Sequence, residues 1–528
     1  MVGHQSTKLN VAGSSPVVLF PLQLFPALFL LMTSAELLRA FEYSVQFNSA
    51  KDRRKMAKFN TAPVDRSKTI NRAGGPAYAK STKLELVSFL LTSFVKDQFY
   101  RSADQGLKAL TNLVADNPLF AAKAAIYART QFGMRSVSHA VAVDLMEFAK
   151  GHAWAKRFYD RVIFRPDDMT EIRSLYQTRT KKNGLPHAVS KGFAAALTRF
   201  DAYQLGKYRG EGKGVSLVDI VNYVHPQHSE ALQALVKDEL RATGTWESKL
   251  TQAGQQGSDE EEVKSLKRDA WAELISSKKL GYFALLRNLR NIIEQAPECV
   301  DAACAMLVDE KLIRKSLVMP FRYQTAADEI RKLGGSNTRP VLKALNEAVD
   351  KSVANVPRFD GRTLIALDGS GSMSDVLAIA TLFAAVLYKS QDADCIIYSD
   401  SAEQHSYTVE DSTLTIASQM SKDCPMSSTD FSAVFRLMTE PYDRVIFLSD
   451  MQSWVNSRGI PTYFNRYVEK IGKRPKLYSW DLSGYGTLEF PERDVYALSG
   501  FSEKVFDLMK LLETDRNAMV HAIEEIEL

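Results

Sequence analysis

From about Ser81 to Ser352 the apolar residues recur every three or four positions, and strand-like alternation is nearly absent. The segments LELVSFLLTSFVKDQFY (84–100), LFAAKAAIYARTQFG (119–133), SVSHAVAVDLMEFAKG (136–151), SKGFAAALTRFDAYQL (190–205) and YFALLRNLRNIIEQA (282–296) each gather apolar residues on one face, which predicts a helix. Connections are short, with starts such as Asp167-Asp168 and stops such as Gly133 and Gly151. No fixed period stands out, so the helices predict an irregular α-solenoid, whose curved surfaces suit extended ligands. In Tyr282–Ala296 the buried stripe is Leu285, Leu286, Leu289, Ile292 and Ile293. Arg287, Arg290, Asn291 and Glu294 share the opposite ridge, where they suit phosphates or simply form a solvated face.

At Arg358 the pattern changes. Thr363–Leu367 is a short apolar run of the kind a buried parallel strand shows, followed by a Gly/Ser loop and the helical stretch 375–390. Further strands are expected at 395–399, 444–449, 476–482 and 495–499, with helical stretches between most of them, which predicts a doubly wound α/β sheet. The expected fold is therefore multidomain, an all-α helical-repeat part at 56–357 followed by an α/β part at 358–528. Residues 1–55 stand apart. Val17–Met32 is apolar, broken by Pro21 and Pro26 and followed by Thr33-Ser34-Ala35, which reads as a secretory signal. The preferred reading is a misassigned start, with Met56 opening the chain, and the segment takes no part in the fold. It is too short and Pro-broken for a membrane span.

Composition changes this picture little, since 45% hydrophobic and 24% charged residues are ordinary globular values. Four cysteines, none in a C-x-x-C pair, argue against a disulfide scaffold or structural zinc and fit a reducing compartment. Charge changes it more. The overall +5 divides into 51 Lys+Arg against 36 Asp+Glu in residues 1–357, and 16 against 26 in 358–528. A basic front favours a polyanion.

Residues 151–200 are the most basic stretch, with ten Lys+Arg against four Asp+Glu. Arg157, Arg161 and Arg165 are spaced by four, as on one helical face. Arg179, Lys181 and Lys182 precede a Gly-Leu-Pro turn and His187, Lys191 and Arg199. Lys207, Arg209 and Lys213 lie in the loop GKYRGEGKG, whose glycines let backbone amides approach an anion, although its order is not that of a P-loop. With Phe158, Tyr159, Tyr203 and Tyr208 interleaved, these clusters suit RNA, cations on phosphates and rings under bases. Each ring taken singly reads equally as a core residue.

In the α/β part the first strand runs into Asp368-Gly-Ser370-Gly-Ser372. Thr429 is expected to begin the helix of SSTDFSAVFRLM, and Asp450 ends RVIFLSD. One carboxylate and two hydroxyls, joined by Thr429 and Asp450 at the carboxyl ends of parallel strands, form a hard oxygen set suited to Mg2+ or another divalent cation. No catalytic constellation emerges among the eight scattered histidines, so an enzyme is not expected.

Five segments then carry a family resemblance: KTINRAGGPAY (68–78), RSVSHAVAV (135–143), LPHAVSKGFAAAL (185–197), KYRGEGKGVSLVDIVNYVHP (207–226) and YFALLRNLRNI (282–292). In this order they resemble the TROVE module of the Ro ribonucleoprotein family, of bacterial or phage type. Asp368, Ser370, Ser372, Thr429 and Asp450 resemble the metal-ion-dependent adhesion site of a von Willebrand factor A domain, although Ser427-Ser428 stands where glycine often precedes the threonine. The resemblance implies a ring of HEAT-like helical repeats whose basic hole takes single-stranded RNA ends and whose outer surface binds structured, Y-like RNA. By position the RNA-binding residues would be Arg135, His139, His187, Lys191, Lys207, Arg209, Lys213, Arg287 and Arg290, although His139 and His225 also read as core histidines. It further implies a cytoplasmic monomer working in RNA quality control, without a membrane, and tethered by RNA to an exoribonuclease such as polynucleotide phosphorylase. The competing reading is a metal-dependent protein-adhesion module on a helical scaffold.

Overall fold

The computed structural model describes residues 68–528 apart from 93–95, 97, 99, 211, 241–245, 317, 319, 354–355, 357, 454–458, 501–503, 513–514 and 516. The apolar run Val17–Met32 and the alternative start at Met56 lie outside the described residues.

Two short strands, β1 (Lys68–Ile70) and β2 (Pro76–Ala79), precede a long succession of helices running from Thr82 to Val353. Helices Pro118–Gln131, Ser136–Phe148 and Tyr282–Gln295 form where the apolar spacing places them. Three expectations need correction. The helix expected over 84–100 is described only to Thr92, and Gln98 and Arg101 pair as an isolated antiparallel bridge. The helix expected over 190–205 is two, His187–Leu197 and Ala202–Lys207, because Asp201 caps the second in a capping box with Gln204. Arg157, Arg161 and Arg165 do not share one helical face. Helix Ala155–Arg161 ends at Arg161, and Arg165 is extended (φ −136°, ψ 152°) before Pro166, which disfavours helical backbone in the residue it follows.

The α/β half contains a six-stranded sheet built from β3 (Thr363–Asp368), β4 (Asp394–Tyr398), β5 (Ala402–His405), β6 (Arg444–Ser449), β7 (Lys476–Asp481) and β9 (Tyr496–Ser499), in the order β5-β4-β3-β6-β7-β9. All neighbours are parallel except β5, an antiparallel edge strand that polar alternation in AEQH leaves hard to read. Burial on both faces explains the unbroken apolar runs. Leu364, Ala366, Val445 and Phe447 pack with Phe435 and Phe464 on one side, while Ile365, Leu367, Ile446 and Leu448 pack with Leu382 and Val386 on the other.

That second face is continuous with the core of the helical array, from Leu84 through Trp271 to Ile523. Both ends of the array meet the α/β half. Helix Thr82–Thr92 packs on β9, and Pro118–Gln131 packs on the last helix, Ala518–Glu524. At the other end Pro320–Leu333 packs on Leu377–Gln391, and Thr338–Val353 on Thr413–Asp423. The helical path thus leaves the α/β layer and returns to it, closing a circuit within one chain. The strand β2 adds a further link by pairing with β8 (Thr487–Leu488).

Candidate nucleic-acid interface and metal site

Helices Ala155–Arg161 and His187–Leu197 cross at Gly192, where a Cβ would lie 2.5 Å from the Tyr159 Cβ and 2.8 Å from the Lys156 carbonyl oxygen. The close crossing holds the two helices in contact. Lys156, Arg157, His187 and Lys191 are all exposed there, and none has a side-chain hydrogen bond or ion pair among the described residues. Nearby, Lys207 lies 6.0 Å from the centre of the Tyr203 ring, which is half-exposed, and 5.8 Å from that of Tyr208. Arg287 and Arg290 are exposed on helix Tyr282–Gln295, and Arg290 pairs with Glu294 at 3.2 Å. Lys213 is exposed and lies 3.6 Å from Glu171.

Three residues of the expected set are placed differently. Arg209 is mostly buried, donating to the Leu240 carbonyl at 2.8 Å and pairing with Asp238, so it ties the glycine-rich loop to a neighbouring turn. Arg135 and His139 turn toward Asp168, with Arg135 Nε at 2.9 Å and His139 Nε2 at 3.0 Å from its Oδ1. Arg129 joins at 3.1 Å, and the backbone amides of Phe164 and Arg165 donate to Oδ2. Burial pushes the Asp168 carboxyl up, but His139, Arg129 and Arg135 outweigh it and hold the group well below the usual carboxylate range. This is an internal ion cluster. His225, read as a core histidine, is instead exposed and closes helix Leu217–Val224 in the left-handed region (φ 48°).

In the α/β half, three loops converge at the carboxyl ends of β3, β4 and β6. Asp368, Ser370, Ser372, Thr429 and Asp450 are all buried. The loops are stitched together by the Met426 amide donating to the Gly369 carbonyl at 2.7 Å and the Gly371 amide to the Ser427 carbonyl at 2.9 Å. Asp368 accepts from the Ser370 amide at 3.0 Å and from the Ser449 hydroxyl at 2.6 Å, and the Ser370 and Ser372 hydroxyls lie 3.2 Å apart. Asp450 Oδ1 accepts from the Gln452 amide at 3.1 Å, whereas its Oδ2 is buried without a partner. Burial raises both carboxyls, and the Asp368 charge raises Asp450 further. Two buried carboxylates facing hydroxyls, with one oxygen orphaned and no lysine or arginine bonded to either, fit a hard divalent cation. Such an ion would be held by these five residues and would act as a Lewis-acid anchor for an oxygen ligand. Met426 (φ 58°) and Met451 (φ 57°) flank the loops in the left-handed region, a backbone cost that side chains other than glycine rarely bear.

Residues that the sequence did not flag join this site to the helical half. Tyr100 lies beside Ser372, and burial and the charges of Asp450 and Asp368 push its phenol upward. The Tyr100 ring meets Tyr485 edge-on at 5.7 Å. Arg101 donates to the carbonyls of Gly484 at 2.9 Å and Ser483 at 3.3 Å, and burial together with the Arg72 charge pushes it down to about 10. Asn71 donates to the Ser453 carbonyl at 2.5 Å, the Arg72 amide donates to Gln452 at 2.7 Å, and Lys80 forms a buried ion pair with Asp481. The motif KTINRAGG is thus a docking element. Its contacts are long-range, so only the folded chain discloses them.

The chain matches the model of the TROVE domain over residues 92–240 and 230–369, more than half its length, and it belongs to that family. The class of protein that the matching model defines is therefore the TROVE-domain proteins. The chain is similar to Telomerase protein component 1 of Mus musculus, 24% identical over 338 residues that make up 48% of this chain and 13% of that protein. Telomerase protein component 1 of Rattus norvegicus is 21% identical over 347 residues, with the same coverage. The chain therefore spans a small part of the length of these relatives. In fold it is similar to the crystal structure of the Deinococcus radiodurans RO (RSR) protein, with a TM-score of 0.54 at 17% identity, covering 84% of this chain and 100% of that one.

Proposed function

We propose that the helical array binds a small structured RNA of the Y type on its exposed cationic surface and takes single-stranded ends of misfolded or non-coding RNA within the closed circuit, serving RNA quality control or processing. The observation that carries this reading is the exposure of Lys156, Arg157 and Lys191 on two helices in contact, with no carboxylate bound to any of them among the described residues. An array of this kind attracts a polyanion and releases its counterions on binding. The setting is the cytoplasm, and the protein works as a monomer, since the circuit closes within one chain. An exoribonuclease such as polynucleotide phosphorylase would be recruited through the bound RNA. Asp368, Ser370, Ser372, Thr429 and Asp450 are proposed to hold Mg2+ or another divalent cation. The adhesion reading has less support, because the segment carrying Gln98, Tyr100 and Arg101 docks beside the metal loops, where a partner's carboxylate would enter.

The test is a titration of the purified chain with a structured small RNA, followed by fluorescence anisotropy over a range of salt. Arg157→Ala combined with Lys191→Ala should weaken binding about tenfold or more at physiological salt and flatten the log–log salt slope by about two. Unchanged affinity and slope would remove this surface from the interface.

A further inference from the structure

Glu489 follows β8 between two core residues, Leu488 and Phe490, and is only 3% exposed. Its Oε1 accepts from the Ser453 amide at 3.1 Å and from Asn71 Nδ2 at 3.3 Å. Its Oε2 is buried with no partner among the described residues. The same turn holds Asp450. There the Gln452 amide donates to Asp450 Oδ1 at 3.1 Å, so consecutive N–H groups, those of Gln452 and Ser453, carry the two carboxyls. Each carboxyl keeps its second oxygen buried and unpartnered. The Ser453 hydroxyl also donates to the Thr429 carbonyl at 3.0 Å, which ties the turn to another loop of the metal site.

Three buried carboxyls therefore share this end of the sheet, and the basic side chains that reach it are spent elsewhere. Lys80 is paired with Asp481, and Arg101 donates to the carbonyls of Ser483 and Gly484. The Arg72 guanidinium lies 5.8 Å from the centre of the Tyr485 ring. Burial, joined by the charges of Asp450 and Asp368, outweighs the hydrogen bonds from Asn71 and Ser453 and pushes the Glu489 carboxyl well above its ordinary range. Asn71 is buried and uses every polar atom of its side chain. Its Oδ1 accepts from the Gly75 amide at 2.8 Å, and its Nδ2 donates to the Ser453 carbonyl at 2.5 Å as well as to Glu489. With the Arg72 amide on Gln452 at 2.7 Å, the N-terminal clasp rests on the two residues whose amides hold the carboxyls. Mutual repulsion among those carboxyls works against the turn, and a cation relieves it.

We infer that Glu489 is a positioning residue of the cation site: its charge, added to those of Asp368 and Asp450, favours a divalent ion there, and its bond to Asn71 ties the presence of that ion to the seating of the N-terminal clasp. The inference rests on the cation reading above.

The experiment titrates the full chain, stripped with EDTA, with Mn2+ by calorimetry and with Tb3+ by luminescence. Asp450→Asn identifies the site, since it should remove the binding step in both titrations. Glu489→Gln keeps the shape of the side chain and an acceptor for Ser453 and Asn71. It should weaken Mn2+ about tenfold and Tb3+ about thirtyfold, because attraction to a fixed charge scales with the charge of the ion, whereas a disturbed turn would weaken the two equally. In EDTA its Tm should match or exceed that of the parent, a buried repulsive charge having gone. Hydrogen exchange at the Asn71, Arg72 and Gly75 amides should slow about fivefold or more when the parent takes Mn2+, and Glu489→Gln should lose most of that response. Asn71→Ala should weaken Mn2+ by a similar factor, since the coupling is reciprocal. Parent-like affinities in Glu489→Gln, or equal losses for the two ions, would overturn the role of Glu489. Exchange in the parent that ignores Mn2+, or parent-like Mn2+ affinity in Asn71→Ala, would overturn the tie to the clasp. A parent that binds neither ion, or binds them no better than Asp450→Asn, would overturn the cation reading itself.

Discussion

Asp168 is fully buried, and three cationic or imidazole side chains from two other elements converge on it. Removing the acid would leave Arg129, itself buried, without a counter-charge. Asp168→Ala should therefore cost about 3–5 kcal/mol, measured as a fall in the urea midpoint at pH 7. The pH dependence has a definite sign. The folded-state carboxyl titrates below its unfolded value, so its contribution is complete above the ordinary carboxylate range and is withdrawn as the pH falls below about 4. The gap between parent and variant should narrow over that interval. Nothing in SVSHAVAVDLM marks His139 as a partner of a residue 29 positions away, since a histidine on an apolar face looks the same whether it meets an acid or an RNA phosphate.

Among elements, helix existence was readable from apolar spacing, and helix ends were not always so. The sequence 190–205 keeps its apolar spacing through Thr198–Asp201, yet the reciprocal bonds between Asp201 and Gln204 start a new helix there. The break matters, because it lets His187–Leu197 lie close on Ala155–Arg161 through Gly192. A methyl group at that point would meet the Tyr159 Cβ and the Lys156 carbonyl oxygen well inside contact distance. Gly192→Ala should thus cost about 1–3 kcal/mol by overpacking, read from chemical denaturation. It should also weaken RNA binding by moving Lys191 relative to Arg157, which no change confined to the helix interior would do.

For the whole molecule, the contrast of a basic front and an acidic back suggests two units, but the polypeptide joins them in one continuous core. The N-terminal strands, Lys80, Tyr100 and Arg101 dock at the sheet's carboxyl edge, beside the two buried carboxylates. A cation bound by Asp368 and Asp450 would therefore stabilise the closed circuit as well as the α/β half. In scanning calorimetry, saturating Mg2+ should raise the parent Tm by about one to a few degrees, since a ligand at a hundred times its Kd contributes about 2.7 kcal/mol. Asp450→Asn removes a buried charge that repels Asp368, so it should be at least as stable as the parent without metal and lose the response to Mg2+. An equal Mg2+ response in both would place the ion elsewhere.

What the sequence alone determined was local. Apolar periods of three to four gave the helices, unbroken apolar runs gave the parallel strands, and Asp368-Gly-Ser370-Gly-Ser372 marked the loop where oxygen donors gather. Those signals act over a few residues, within reach of one turn or one strand. The tertiary structure decided which cations stay at the surface and which are drawn to an acid. It brought Arg322 to Phe283 across 39 positions of chain and Tyr100 to Ser372 across 272. It also made KTINRAGG a clasp on the far end of the polypeptide. Charge and ring positions carry no information about their distant partners. Coulomb attraction, desolvation and packing fix those only once the backbone has closed on itself.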